Sequence, residues 1–277
     1  MHEDAWQWDS LLYSGSAAYY ARGRLAYPRA LVDALVSELR LDGSGRLLDV
    51  GCGPGSLTLP LAGVFAEAIG LDADGDMLDQ AERFAAEAGI RNVRWLRLRA
   101  EELPAGLGGF RLVTFAQSFH WLDRSKVAGA VRGMLADGGF CAHVHATTHR
   151  GVDGDAELPH PRPPHAAIGA LVREYLGPVR RAGRSRLPRG TASGEGEIYR
   201  AVGFTGPRRI EIPGRVVTRA IDDIVAAVYS LSSSAPHLFG DDRAEFEADL
   251  RRLLHRAGPD GVFSEQTREI AVDLWQP

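Results

Sequence analysis

The run Leu47-Leu48-Asp49-Val50-Gly51-Cys52-Gly53-Pro54-Gly55-Ser56-Leu57 constrains the fold more than any other part of the chain, because an apolar strand enters a turn with three glycines. Glycines at 51, 53 and 55 can take positive φ and leave bare backbone N–H groups. The chain can then approach a ligand closely at the tip of the first strand of a parallel sheet. The spacing is acidic-x-Gly-x-Gly-x-Gly, with Pro54 inside it. It lacks the G-x-G-x-x-G order of a dinucleotide loop, and no Lys-Ser/Thr follows as a phosphate loop requires. A second strand extends the pattern. Ala68-Ile69-Gly70-Leu71-Asp72 is short, apolar and ends in a carboxylate 17 residues after Gly55, close to the roughly 20-residue spacing of an acidic ribose ligand. Asp72 is expected to accept hydrogen bonds from two ribose hydroxyls.

Strands alternate with helices along the first half, which implies a parallel sheet with right-handed crossovers. Helical spacing covers 28–39, 56–65, 75–87 and 127–135, and strand patterns cover 46–50, 68–72, 93–98, 110–116 and 139–144. After Val144 the composition shifts. Residues 146–192 are rich in Pro, Gly, Arg and His, with one periodic apolar piece near 166–176, and read as an inserted cap or lid. Regular pattern resumes with helices at 195–202, 221–231 and 243–257 and strands at 208–212 and 267–275. The expected division is therefore an N-terminal helical and ligand-binding core at 1–145, a cap at 146–192, and completion of the sheet with further cap helices at 193–277.

With 277 residues and 45% apolar content, the chain has ample material for a buried core. A net charge of −4 advertises no basic face and argues against nucleic acid as a partner. The densest basic stretch, 180–189, reads as a solvated loop, with a clamp for an anionic substrate as its functional alternative. Cys52 and Cys141 stand where packing explains them, which suits a reducing cytoplasm. The first residues lack a secretory pattern and no 18-residue apolar run occurs, so the expectation is a soluble cytoplasmic protein without a membrane partner. Monomer and homodimer both remain open.

The glycine turn followed by Asp72 and Met77-Leu78 resembles the class I S-adenosylmethionine-dependent methyltransferases. The resemblance extends to Gln117-Ser118-Phe119-His120-Trp121-Leu122-Asp123, to Tyr20-Ala21-Arg22-Gly23-Arg24-Leu25-Ala26-Tyr27-Pro28 and to Leu135-Ala136-Asp137-Gly138-Gly139. Those segments are similar to the small-molecule group that includes trans-aconitate methyltransferase and its actinobacterial relatives. The resemblance covers about 10–145 well and the remainder more loosely. It implies an α/β, Rossmann-like, doubly wound, mostly parallel seven-stranded sheet, closed by an antiparallel pair and carrying a helical cap. It also implies S-adenosyl-L-methionine as cofactor and a small-molecule acceptor, methylated at a hydroxyl or carboxylate, with a natural-product intermediate as the working guess. The alternatives are a non-methylating step such as cyclisation on the same fold, or a non-enzymatic cofactor-binding protein.

Carried over by residue, the resemblance gives Gly51, Gly53 and Gly55 the methionine moiety, with Asp49 supporting the turn. Asp72 and Ala73 then fall at the ribose, Met77 against the adenine, and Gln117 at the methionine amino group. Tyr20 and Arg24 close the site, Arg24 as partner for the cofactor carboxylate or as an ordinary surface arginine. Met77 is equally explained as core of the following helix. The segment Arg99-Ala100-Glu101-Glu102 departs from the family, which places an acidic residue where Arg99 stands. Arg99 cannot accept a hydrogen bond from the adenine amino group, so Ala100 backbone or Glu101 is left to read the base, or cofactor affinity is lowered.

His120 is the candidate general base, since an imidazole can take a proton from a hydroxyl near neutral pH. Its alternative, shared with Trp121, is to shape the pocket wall, because methylation of a carboxylate needs alignment and no base. Trp121, Tyr229 and His237 are the candidate acceptor contacts. His143, His145 and His149 invite a metal reading, but no ligand set completes at the spacing a metal requires, so no metal is expected.

Overall fold

The computed structural model describes residues 11–154, 157–179, 181–182, 185–186 and 194–277. Most of the basic stretch 180–189 falls outside them. Five parallel strands build the core: β1 (Arg46–Val50), β2 (Glu67–Asp72), β3 (Val93–Arg97), β4 (Phe110–Ala116) and β5 (Leu135–His145). Between them run α3 (Thr58–Ala62), α4 (Gly75–Glu87) and α5 (Arg124–Gly133), preceded by α1 (Ala17–Gly23) and α2 (Arg29–Leu39). A two-residue ladder, β6 (Arg181–Ala182) with β7 (Ser185–Arg186), precedes α7 (Glu195–Ala201) and β8 (Thr205–Ile212). The last strand, β11 (Ile270–Gln276), runs antiparallel between β5 and β8, and the sheet order is β3-β2-β1-β4-β5-β11-β8. Strand order reverses between β1 and β4. In doubly wound sheets a crevice for ligands opens at that reversal, beyond the carboxyl ends of the strands.

Burial on both faces explains why β1 and β4 read as apolar runs. Leu48, Val50, Val113 and Phe115 face a cluster with α5 and α7, whereas Leu47 and Leu112 face α2 and α3. Asp49 is the polar exception. It is buried, and its two oxygens accept from Thr58 (2.6 Å) and Thr114 (2.7 Å), which ties β1 to the helix after the glycine turn and to β4. Helix α4 starts on Asp74, whose carboxylate accepts from the backbone N–H of Asp76 and Met77, a cap that contributes about 1 kcal/mol.

A cap stands over one end of the sheet. It joins α6 (His165–Leu176), α8 (Ile221–Tyr229), α9 (Arg243–Ala257) and an antiparallel ladder of β9 (Val216–Ala220) with β10 (Val262–Gln266). Ile168, Ile224, Val228, Phe246, Leu250 and Phe263 form its core. Residues 216–266 thus enter the chain between β8, the edge strand, and its neighbour β11. Helix α1 crosses α8 closely: a Cβ on Gly23 would lie 2.4 Å from the backbone of Ala226. A buried Arg219 fastens this crossing, donating to the carbonyls of Gly23 and Asp223 and pairing with Glu265 at 3.1 Å. The ladder β9–β10 is absent from the sequence expectation, and α3 is shorter than the expected 56–65, with Pro60 inside it and Gly63 directly after it. Among the described residues no helix is long and apolar enough to cross a membrane.

Candidate functional site

A cleft opens at the tips of β1, β2 and β4. It gathers Tyr20, Gly51, Gly53, Asp72, Ala73, Met77, Ala100, Glu101, Gln117 and Trp121 from five separate stretches of chain. A second hollow continues from it past Tyr20, Gly51 and Ala116 and adds Arg24, Asp49 and Gly55.

The glycine turn is shaped for close approach. Gly51 sits at φ +69°, and a Cβ there would come within 2.4 Å of the Ser118 Cβ, so side chains are excluded by conformation and by space alike. Ser118 closes that corner by donating from Oγ to the Val50 carbonyl at 2.5 Å. Gly53 (φ +53°) donates its N–H to Asp72 Oδ2 at 2.8 Å, and Asp74 N–H reaches Asp72 Oδ1 at 2.9 Å. The carboxylate is therefore fixed by two strand-tip turns at once, and each oxygen keeps a lone pair for a ligand. Burial nevertheless pushes the Asp72 carboxyl up to about 6, against the pull of those two N–H groups. Gln117 stands at φ +63°, an uncommon conformation for a side-chain-bearing residue that costs about 1–2 kcal/mol and lies in the cleft wall.

Arg24 lies across the second hollow, its guanidinium 4.6 Å from the ring of Tyr20. Nε and Nη2 donate to Ser230 Oγ (2.9 Å) and the Ser230 carbonyl (2.8 Å), and Nη1 reaches Thr148 Oγ1 at 3.4 Å. This arginine is therefore bound to the cap and is no free surface residue. Glu101 accepts from the Asp123 N–H at 3.0 Å and pairs with Arg99 at 3.5 Å. Arg99 thus turns toward a neighbouring carboxylate at the position where the family pattern expects an acid. Met77, only 3% exposed, packs in the α4 face and also lines the cleft.

Three candidate residues fall elsewhere. His120 does not line the cleft; it flanks Trp121, ring centroids 4.8 Å apart, in the short turn Phe119–Trp121 after β4. Tyr229 corrects the expectation of an acceptor contact. Its side chain is fully buried in the cap core against Tyr19, Phe239 and Phe246, and burial pushes its phenol up to about 12. A helix carrying seven buried residues out of nine leaves no solvent face for it. His237 also lies off the cleft, with Nδ1 3.1 Å from the Ser14 carbonyl, where it holds the N-terminal segment to the cap.

The strand-end histidines His143 and His145 are engaged in packing and hydrogen bonds. His143 stacks on His145 at 4.5 Å and bonds Tyr199 Oη at 3.1 Å, and burial lowers its pKa to about 3. His145 Nε2 lies 3.0 Å from Asp273 Oδ2, a carboxylate that also holds Arg209. Among the described residues no group of three or more His, Cys, Asp or Glu is placed to hold a metal.

The sequence reading missed Leu12 and Tyr13, which fold back over the cleft. Tyr13 meets Trp121 and Tyr20 edge-on at 6.4 and 6.5 Å, so three aromatic rings roof one side. Its phenol is pushed above the ordinary range, chiefly by burial. Nothing in the spacing around Leu11-Leu12-Tyr13 marks this return; only its apolar character could have hinted at cover.

Residues 47–139 match the family model described as a methyltransferase domain. The chain is 35% identical over 102 residues to the uncharacterized methyltransferase YcgJ of Bacillus subtilis, spanning 36% of this chain and 40% of that one. It is 30% identical over 130 residues to the uncharacterized methyltransferase Rv3342 of Mycobacterium tuberculosis, covering 47% and 50% of the two chains. The match thus spans half or less of these relatives. In three dimensions the chain resembles YcgJ itself (TM-score 0.50, 19% identity, 90% and 99% covered) and the [4+2]-cyclase SpnF (TM-score 0.51, 16% identity, 96% and 93% covered). Those two likenesses establish the shared fold.

Proposed function

We propose that this chain, which belongs to the class I S-adenosylmethionine-dependent methyltransferases, transfers the cofactor's methyl group to an oxygen of a small molecule, for which a natural-product intermediate is our working acceptor. The observation that carries the reading is Asp72, held by turns from two adjacent strand tips, with open lone pairs at the mouth of a cradle that only glycine can form.

The residues fit the cofactor piece by piece. Asp72 takes the ribose hydroxyls, with Ala73 beside it. Gly51 and Gly53 leave space for the methionine moiety, Gly55 shapes the same turn, and Asp49 anchors it from below. Arg24 pairs with the methionine carboxylate, Gln117 backbone meets the amino group, and Tyr20 closes over both. Met77 lies against the adenine, and Ala100 and Glu101 meet its edge. S-adenosylmethionine supplies a methyl already activated on a sulfonium, so what the protein contributes is alignment and exclusion of water. Tyr13, Tyr20 and Trp121 provide the water-excluding side.

With His120 beside Trp121 and outside the cleft lining, a carboxylate acceptor, which carries its own negative charge, is the better match than a hydroxyl. Two free, buried cysteines suit a reducing cytoplasm. The test is calorimetric titration of S-adenosylhomocysteine into wild type and Asp72→Ala, followed by mass spectrometry of candidate acceptors with S-adenosylmethionine. Unchanged affinity in the variant removes the assignment of Asp72. Conversion of an acceptor without gain of a methyl group would replace methyl transfer with a rearrangement on the same fold.

A further inference from the structure

The cap holds a cavity of its own. It lies between α6 and α8, opens to solvent at its mouth, and among the described residues shares none of its lining with the cleft or the hollow beside it. The partition is thin: Arg24 bonds Thr148 and Ser230 on the cleft side, while the next residues in the chain, His149 and Leu231, line the cap cavity.

The walls are apolar, with Ile168 and Val172 of α6 facing Ile224 and Val228 of α8, and Val179 is left 38% exposed at the lip. Among the described residues that line it there is no aspartate or glutamate, whereas there are three arginines. One of the three, Arg219, is committed elsewhere. It pairs with Glu265, as does His165, which also lines the cavity; Glu265 is buried and held by both. Arg150 and Arg173 remain. Among the described residues neither has a carboxylate in ion-pair range. Both are exposed, and Arg173 bends back over Gly169, one turn earlier on the same helix wall. A helix C-terminus favours an arginine there but does not account for a second cation over the same apolar walls.

We propose that this cavity binds an amphipathic carboxylate, its hydrocarbon part between α6 and α8 and its charged end on Arg150 and Arg173, at a site separate from the cofactor cleft. Apolar walls with a few convergent polar groups are the usual make-up of small-molecule sites. An arginine presents paired donors that match a carboxylate. The cations select the sign of the headgroup, and the described lining holds no carboxylate for an ammonium.

Decanoate is the probe. Calorimetric titration into the whole chain should show binding, with decanol and decyltrimethylammonium weaker by about tenfold or more, the loss of one charge-assisted hydrogen bond. Arg173→Gln and Arg150→Gln should each weaken decanoate by about tenfold and leave the melting temperature unchanged, since both side chains are exposed. Gly169→Leu should abolish decanoate binding. In the helix interior the exchange raises helix propensity, so the fold is retained and the melting temperature verifies it. Saturating S-adenosylhomocysteine should leave the decanoate affinity within twofold, as separate sites require. Decanol binding as tightly as decanoate, full binding in Gly169→Leu, or displacement by S-adenosylhomocysteine would each overturn the proposal. The decanoate titrations read out even if the cleft fails to bind the cofactor.

Discussion

Binding of S-adenosylhomocysteine should release a proton from Asp72, and the size of the effect follows from the structure. In the open cleft, burial raises this carboxyl to about 6 even though Gly53 and Asp74 N–H groups hydrogen-bond it. Ribose hydroxyls donate to the ionised form, so the bound state pulls the pKa back toward the ordinary aspartate value of about 3.9. A shift of about two units corresponds to about 3 kcal/mol at 1.36 kcal/mol per unit, the upper end of what hydrogen bonds to a charged group contribute. The sign is fixed: the protonated form prevails below the raised pKa and binds poorly. Affinity should therefore weaken by about tenfold between pH 7 and pH 5, and release should peak near pH 5 at most of one proton. The cofactor's own α-carboxyl and α-amino groups titrate on either side of that window. Calorimetry in two buffers of different ionisation enthalpy counts the protons, and Asp72→Asn isolates the group. An affinity flat from pH 5 to 7, or an equal slope in Asp72→Asn, refutes the assignment of Asp72 to the ribose.

Glu265 is raised by burial but held down to about 2 by His165, the Gly151 N–H and Arg219; its contribution is full above the unfolded carboxylate value and lost as pH falls from about 4.5 to 2, so Glu265→Gln should cost on the order of 3 kcal/mol near pH 7 and flatten the acid limb of unfolding. An acid limb unchanged in that variant would contradict the network. Gly23→Ala drives a Cβ into the Ala226 backbone and should cost about 1–3 kcal/mol, read as a lower melting temperature, along with weaker cofactor binding because Tyr20 rides on the same helix; an unchanged melting temperature speaks against the close crossing. His120→Ala should leave cofactor affinity intact and reduce turnover by less than about tenfold, below the 10²–10⁴ of a general base, while Trp121→Ala should weaken the cofactor; a drop in turnover beyond a hundredfold in His120→Ala restores it as the base.

What could be read from the chain follows the distance over which each signal acts. Strands β1, β2 and β4 were visible because burial on both faces writes continuous apolar runs, β3 and β11 because apolar and polar residues alternate, and α4 was visible to the residue because Asp74 caps it and Glu87 precedes a turn. The lining of the cleft was also visible, since each piece is a strand-tip turn whose chemistry is contiguous: Gly51 to Gly55, Asp72 to Met77, Arg99 to Glu101, Gln117 to Trp121. The short ladder β9–β10 escaped detection because Val216-Val217-Thr218-Arg219-Ala220 is mostly exposed and its one buried side chain is an arginine.

The aromatic wall of the cleft depends on contacts that local sequence does not encode. Tyr229 and Tyr13 show the difference: each is an aromatic hydroxyl beside serine, and nothing in either neighbourhood says which way the ring turns. Tyr229 is committed to the cap because α8 is buried on nearly every side, by α1 through the Gly23 contact and by α9 through Phe246. Tyr13 is committed to the cleft because His237 and Tyr229 fasten the segment next to it, His237 at the Ser14 carbonyl and the Tyr229 carbonyl at the Ser16 hydroxyl. The same crossing that removes Tyr229 from the cleft therefore delivers Tyr13 to it, so a change that loosens α1 from α8 should act on the aromatic roof before it acts on the glycine turn.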